Sequence, residues 1–313
     1  MDMPLSRRDF IKMAAAVFGA CVSAKATGGV AEAAQIGTPV IMYHTTAYGI
    51  TSEIFVDQME ALYRMDCKTI GFEELYDSLK KRLNLPYGRV VLTFDDIGNQ
   101  LAKSGLQKTH DDFWENIYPV LNKYGFKGVL GVVTGGISNE GWTWDEIRRL
   151  ADEGHEIASH SATHNLGMNQ AYLNRPGGFS REQFIDEFRR SRYDIQNNTG
   201  RAPITYIWPF GAVKYGSDAA EIYPVRVTVW ETGPVSGLSQ LGSVPRYHPD
   251  GHVNDFGITI ARALGFGGPT ATQLEKSTGD TDTYSEKNRN YGVGFNSEAL
   301  RARHAEKFRD VET

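Results

Sequence analysis

The sequence predicts an α/β protein built on a parallel sheet, and three observations lead there. Short apolar runs, each the length of one buried strand, alternate along the chain with segments of helical periodicity. The composition, 41% hydrophobic and 23% charged over 313 residues, is that of an ordinary globular chain. Its most distinctive polar residues fall just after apolar runs, where parallel α/β folds place function.

Taken in order, Val40-Ile41-Met42-Tyr43 reads as the first strand. Phe55, Met59, Leu62 and Tyr63 then mark one face of a helix ending near Met65. A second helix is expected from Phe72 to Leu83, and a second strand from Arg89 to Phe94. Phe113 to Tyr124 has helical spacing and leads into a strand from Gly128 to Val133. Thr143-Trp144-Asp145-Glu146 is a capping box opening the next helix, with a strand at Glu156 to Ser159 behind it. Phe184, Ile185, Phe188 and Ile195 line a long helix from Phe179 to Asn197, and Ile204 to Trp208 and Val225 to Val229 are further strands. This alternation fits a sheet left open or one closed into a barrel, and pattern alone does not choose between them.

The ends read differently from the middle. Arg7-Arg8 stands before an apolar run from Met13 to about Ala24, and Ala31-Glu32-Ala33 precedes Ala34. Residues 1–34 thus resemble a twin-arginine export signal, which places the mature protein in the periplasm or outside the cell. Residues 268–313 are polar and poor in large apolar groups, a tail with at most a short helix from Ser297 to Phe308. The folded domain is expected over residues 35–267. If Cys21 leaves with the signal, Cys67 has no intrachain partner and stability must come from the core. A net charge of −5 without a basic stripe argues against nucleic acid as a partner. No apolar run reaches the roughly 18 residues of a transmembrane segment.

Two motifs carry chemistry. Thr93-Phe94-Asp95-Asp96 puts two adjacent carboxylates at a strand end, where they repel unless a cation or shared proton intervenes. An Asp pair also serves as a helix cap on a solvated turn. His160-Ser161-Ala162-Thr163-His164 sets two imidazoles four apart, a common way to chelate zinc-like ions. One carboxylate and two imidazoles are three protein ligands, leaving positions open for water and substrate and the second carboxylate free as a base.

These motifs, with Trp208-Pro209-Phe210-Gly211 and the approach Gly141-Trp142-Thr143-Trp144-Asp145-Glu146-Ile147, resemble in order and spacing the polysaccharide deacetylase (NodB-homology) family over residues 38–262. The opening Val40-Ile41-Met42-Tyr43-His44 and the late Pro245-Arg246-Tyr247 are similar to the subgroup acting on poly-β-1,6-N-acetylglucosamine. The resemblance implies a distorted (β/α) barrel of about seven parallel strands. It implies one divalent ion, zinc first with cobalt, nickel or iron as alternatives, on Asp96, His160 and His164. Asp95 would be the general base, with a backbone N–H near Phe210 holding the oxyanion. Trp208, Phe210 and Arg246 would contact an N-acetylated polysaccharide.

The sequence departs from that family at four places. Ile97 stands where Gly is usual after the paired aspartates, with Gly98 one position later. The segment from Asn99 to Asp112, with His110, is longer than the family needs: a lid, a partner contact or a plain surface loop. Ile207 occupies the place of the arginine that pairs with the base, leaving Arg201 as a substitute. No late leucine–histidine motif supplies the general acid, and of His44, His248 and His252 the reading favours His44, which follows the first strand. An O-acetyl esterase, a cyclic amide hydrolase and a non-catalytic glycan-binding protein are the rival functions.

Overall fold

The structure, a computed structural model, describes residues 37–44, 46, 50–83, 88–99, 109–138, 141–169, 175–229, 233–249 and 253–265. All of them belong to one compact unit. The expected leader, the polar tail with its short helix, and His252 lie outside the described residues.

The chain runs β1 (Val40–Tyr43), α1 (Ser52–Arg64), β2 (Lys68–Thr69), α2 (Phe72–Lys80) and β3 (Arg89–Ile97). Next, α3 (Thr109–Asp112) passes through a π-helical stretch (Phe113–Ile117) into α4 (Tyr118–Tyr124). There follow β4 (Val129–Val132), α5 (Trp144–Asp152), β5 (Glu156–Ser159), α6 (Arg181–Thr199), β6 (Thr205–Ile207), α7 (Gly216–Ala220), β7 (Val225–Val227) and α8 (Val253–Ala263). The seven strands pair in parallel in the order β1-β3-β4-β5-β6-β7, with β2 against the start of β3.

Helix ends follow local chemistry. Thr143 and Glu146 form the reciprocal capping box expected of α5, and Ser180 with Gln183 builds a second one at α6. Gly200 closes α6 at φ +73°, a left-handed C-terminal position at which glycine has no Cβ penalty. Val40, Val91, Val129, Ala158, Ile207 and Val225, one from each of six strands, meet in a single core cluster with Phe72 and Leu75 of α2.

The sheet curls, and a short segment stitches its two edges. Val244 pairs in parallel with Val227 of β7, and Tyr247 with Ile41 of β1. Backbone bonds run Thr228 N to Val244 O (3.0 Å), Val244 N to Arg226 O (2.8 Å), Met42 N to Tyr247 O (2.9 Å) and Tyr247 N to Val40 O (2.7 Å). Val244–Tyr247 therefore satisfies both exposed edges of the curled sheet. The result is a distorted (β/α) barrel, with its functional motifs at the C-terminal ends of the strands.

Candidate metal and catalytic site

Asp95 and Asp96 lie in β3 where its register against β4 shifts between Phe94 and Ile97. Side chains of a regular strand alternate faces. Here Asp96 sits at φ +67°, breaking the alternation, and both carboxylates come close to His160. Ile97 is buried, and the positive φ that the turn requires is taken by Gly98 at +83°. Asn99 N donates to Asp96 O at 3.0 Å, closing the turn.

His160 follows β5 directly. Its Nδ1 donates to Ile207 O of β6 at 2.8 Å, which turns Nε2 inward toward Asp96. The turn to His164 carries left-handed backbone at Ser161 (φ +71°) and His164 itself (φ +48°). Ser161 Oγ accepts from His164 N at 2.9 Å. Glu187, buried on α6, holds the same turn from below: its carboxylate accepts from Ala162 N (2.7 Å), Thr163 N (2.9 Å) and Thr163 Oγ1 (2.6 Å).

The three expected ligands come together. Nε2 of His160 and Nε2 of His164 each lie 3.4 Å from Asp96 Oδ1, and one ligand atom from each residue falls within 4.8 Å of the others. Two ligands about 2.1 Å from a shared ion at a tetrahedral angle sit about 3.4 Å apart. Two imidazole nitrogens and one carboxylate oxygen, all buried, are a donor set that suits zinc and its neighbours. These residues fit a divalent cation.

Asp95 is held apart from that set. Arg246 lies on the stitching segment, and its Nη1 and Nη2 donate to Asp95 Oδ1 and Oδ2 at 2.7 and 2.8 Å. Nε and Nη1 also donate to Thr228 O (2.7 Å) and Thr93 Oγ1 (3.0 Å). Burial opposes the charge on Asp95, yet Arg246, with His160 and His44, holds its carboxyl below the usual carboxylate range. Asp96 is likewise buried, and the two imidazoles hold it well below that range. Burial, then the adjoining His160, lowers His164 to about 4, so its ring is neutral near pH 7.

The remaining expected residues are placed as follows. His44 follows β1 directly and stands close enough to both aspartates to act on their ionisation. Asp112, a buried carboxylate, accepts from Thr46 N at 2.8 Å and from the Thr46 hydroxyl. Phe210, half-buried and in left-handed conformation (φ +56°), lays its ring 4.3 Å from that of His164. Trp208 is placed in the core rather than on a cleft wall: it is buried and packs edge-on against Phe188 and Tyr206. Arg246, expected against substrate, has no exposed surface and is spent on Asp95 and the barrel interior. Arg201, considered as the partner of the base, instead bonds Ala151 O at 3.2 Å, away from Asp95's two-pronged contact. His248 is exposed with Nε2 2.7 Å from Val229 O, and His110 bonds Asp111 and Glu146 outside the metal cluster. Sequence reasoning missed Glu187, Asp112 and Asn99, three supporting residues whose only signal was a polar side chain on an otherwise patterned element.

The model of the family described as polysaccharide deacetylase matches residues 83–223, the span that carries both motifs; His44 and Arg246 lie outside it. No curated protein sequence matches the chain. Among solved structures, a Streptococcus pyogenes deacetylase, PplD, in complex with acetate aligns at 21% identity over 72% of this chain and 99% of its own, with a TM-score of 0.59. IcaB from Ammonifex degensii aligns at 19% identity over 73% and 97%, TM-score 0.58. A de-N-acetylase from Aggregatibacter actinomycetemcomitans aligns at 20% over 70% and 99%, TM-score 0.56. At these identities the likeness speaks for the fold, a NodB-like (β/α) barrel. The span matched by the family model, residues 83–223 and so less than half of the chain, lies within that barrel.

Proposed function

We propose that this protein is a metal-dependent hydrolase that removes N-acetyl groups from an amino-sugar polysaccharide, releasing acetate and leaving a free amine. One observation carries the reading: a buried Asp96–His160–His164 cluster that fits a cation stands beside a second carboxylate, Asp95, kept out of the cluster by Arg246. The matched family and the fold support the deacetylation of a polysaccharide.

Asp96, His160 and His164 would hold the ion, zinc before cobalt, nickel or iron. When bound, such an ion supplies Lewis acidity, polarising an acetyl carbonyl and acidifying a water. Asp95, kept ionised by the guanidinium, accepts the proton of the attacking water. His44, on the same rim, is the candidate to protonate the departing amine. Phe210, against His164, offers an apolar surface for the acetyl methyl, and its left-handed backbone is the candidate oxyanion donor. Residues 1–34 we read as a twin-arginine leader, delivering the enzyme to the periplasm or beyond.

Acetate release from N-acetylglucosamine oligomers, set against acetylated xylan, tests substrate and bond together. Metal-loaded protein should act on the former, and Asp95→Asn should slow it by about a hundredfold or more while keeping the metal. Release from xylan alone would make the enzyme an O-acetyl esterase. Release from neither, with metal bound, would favour a glycan-binding role.

A further inference from the structure

Asn99 is a residue that neither the family's motifs nor the metal set accounts for. It lies three positions beyond Asp96, at the end of the turn that Ile97 and Gly98 displace by one residue from the family pattern. Its Nδ2 is 2.8 Å from Asp96 Oδ1 and 3.2 Å from His164 Nδ1, so one amide touches two of the three ligands. The side chain is buried, and the turn leading to it is closely packed. A Cβ on Gly98 would come within 2.8 Å of Ile137 Cδ1, and one on Gly136 within 1.6 Å of Gly98 O. The loop is therefore wedged against the turn after β4.

We infer that Asn99 is a positioning residue for the metal ligands: as the structure stands its amide holds the carboxylate of Asp96, and turned over it fixes the ring of His164 for a cation. The inference rests on the metal reading above. His164 can give Nε2 to a cation only if its ring proton sits on Nδ1, and an Nδ1–H buried at this point needs an acceptor. The only polar group placed on Nδ1 among the described hydrogen bonds is the Asn99 amide. Turned about its last torsion, that amide presents Oδ1 to Nδ1–H and selects the tautomer that leaves Nε2 for a cation; it then gives up its bond to Asp96 Oδ1, an oxygen whose charge the cation would offset. His160 obtains the same service from Ile207 O. The displaced turn thus supplies His164 with what β6 supplies to His160.

The test is titration of chelator-stripped full-length protein with Zn²⁺ by calorimetry, and with Co²⁺ by visible absorption. Asn99→Leu, similar in size but without polar atoms, should weaken affinity by about tenfold to a hundredfold and alter the Co²⁺ band. Asn99→Asp keeps an acceptor for Nδ1–H and should bind within severalfold of the wild type. Thermal melting of the metal-free variants separates positioning from folding, with Asn99→Ala as the substitute should Asn99→Leu fail to fold. Equal affinity in wild type and the apolar variant overturns the inference, as does an Asn99→Asp protein as weak as Asn99→Leu. A wild-type chain that binds neither ion sinks the metal reading itself, a different failure.

Discussion

Arg246 and Asp95, 151 residues apart in sequence, meet through two hydrogen bonds of 2.7 and 2.8 Å with both side chains buried. The guanidinium fork matches both carboxylate oxygens, a geometry lysine cannot reproduce. Arg246→Met should leave a buried carboxylate without its counter-charge, lowering stability by roughly 3–5 kcal/mol in urea unfolding. The kinetic sign also follows. Arg246 depresses the Asp95 pKa, and a base in the proposed role works only when ionised, so activity should fall as pH drops through that value. Losing Arg246 should move the acidic limb of kcat/KM to higher pH; a pH profile that does not move would detach the pair from catalysis.

Glu187 should matter to the metal without touching it. Its carboxylate takes three donors from the turn between His160 and His164. Glu187→Gln exchanges a charged acceptor for a neutral amide, weakening the charge-assisted bonds to this turn at a cost of about 1–3 kcal/mol. Weaker Zn²⁺ affinity, measured by calorimetry, is expected alongside a lower melting temperature.

The reading from sequence located most strands because each is a continuous apolar run bounded by turn residues, as β1, β3, β4 and β5 are. It missed β2, only two residues long, and the helix α8. It missed the stitch as well, since Val244–Tyr247 forms isolated bridges and contains a proline, nothing a window would score as a strand. That omission explains the treatment of Arg246 and Arg201: without barrel closure, nothing brings residue 246 to Asp95. The approach of Asp96, His160 and His164 was legible because strand ends and a four-residue spacing are local signals. Trp208 was not, because its neighbours in the core come from α6 and β6 together.

His155 should give the protein a stability that depends on pH away from the site. It is buried, its Nδ1 accepts from Gly128 N at 3.1 Å, and burial lowers its pKa to about 4. A folded value below the unfolded one, near 6.5, means the stabilisation is full above 6.5 and lost as pH falls through 4. The contribution is on the order of 3 kcal/mol for such a shift. His155→Asn, which keeps an acceptor for Gly128, should flatten that part of the stability curve in denaturation between pH 7 and 4. An unchanged slope would assign it elsewhere.

Gly136→Ala probes the wedge between the turns after β3 and β4. The added Cβ would stand 1.6 Å from Gly98 O, so one of the two backbones must give way. A loss of about 1–3 kcal/mol is expected, together with weakened Zn²⁺ binding as Asn99 shifts. Normal affinity at reduced stability would show that the wedge serves packing alone.

The stitch has a consequence for when activity can exist. Val244–Tyr247 pairs with both flanks of the curled sheet and also carries the guanidinium, so barrel closure and the ionisation of Asp95 depend on the same four residues. A chain with this segment displaced would leave Asp95 without its guanidinium partner, and so a poorer base in the proposed reaction.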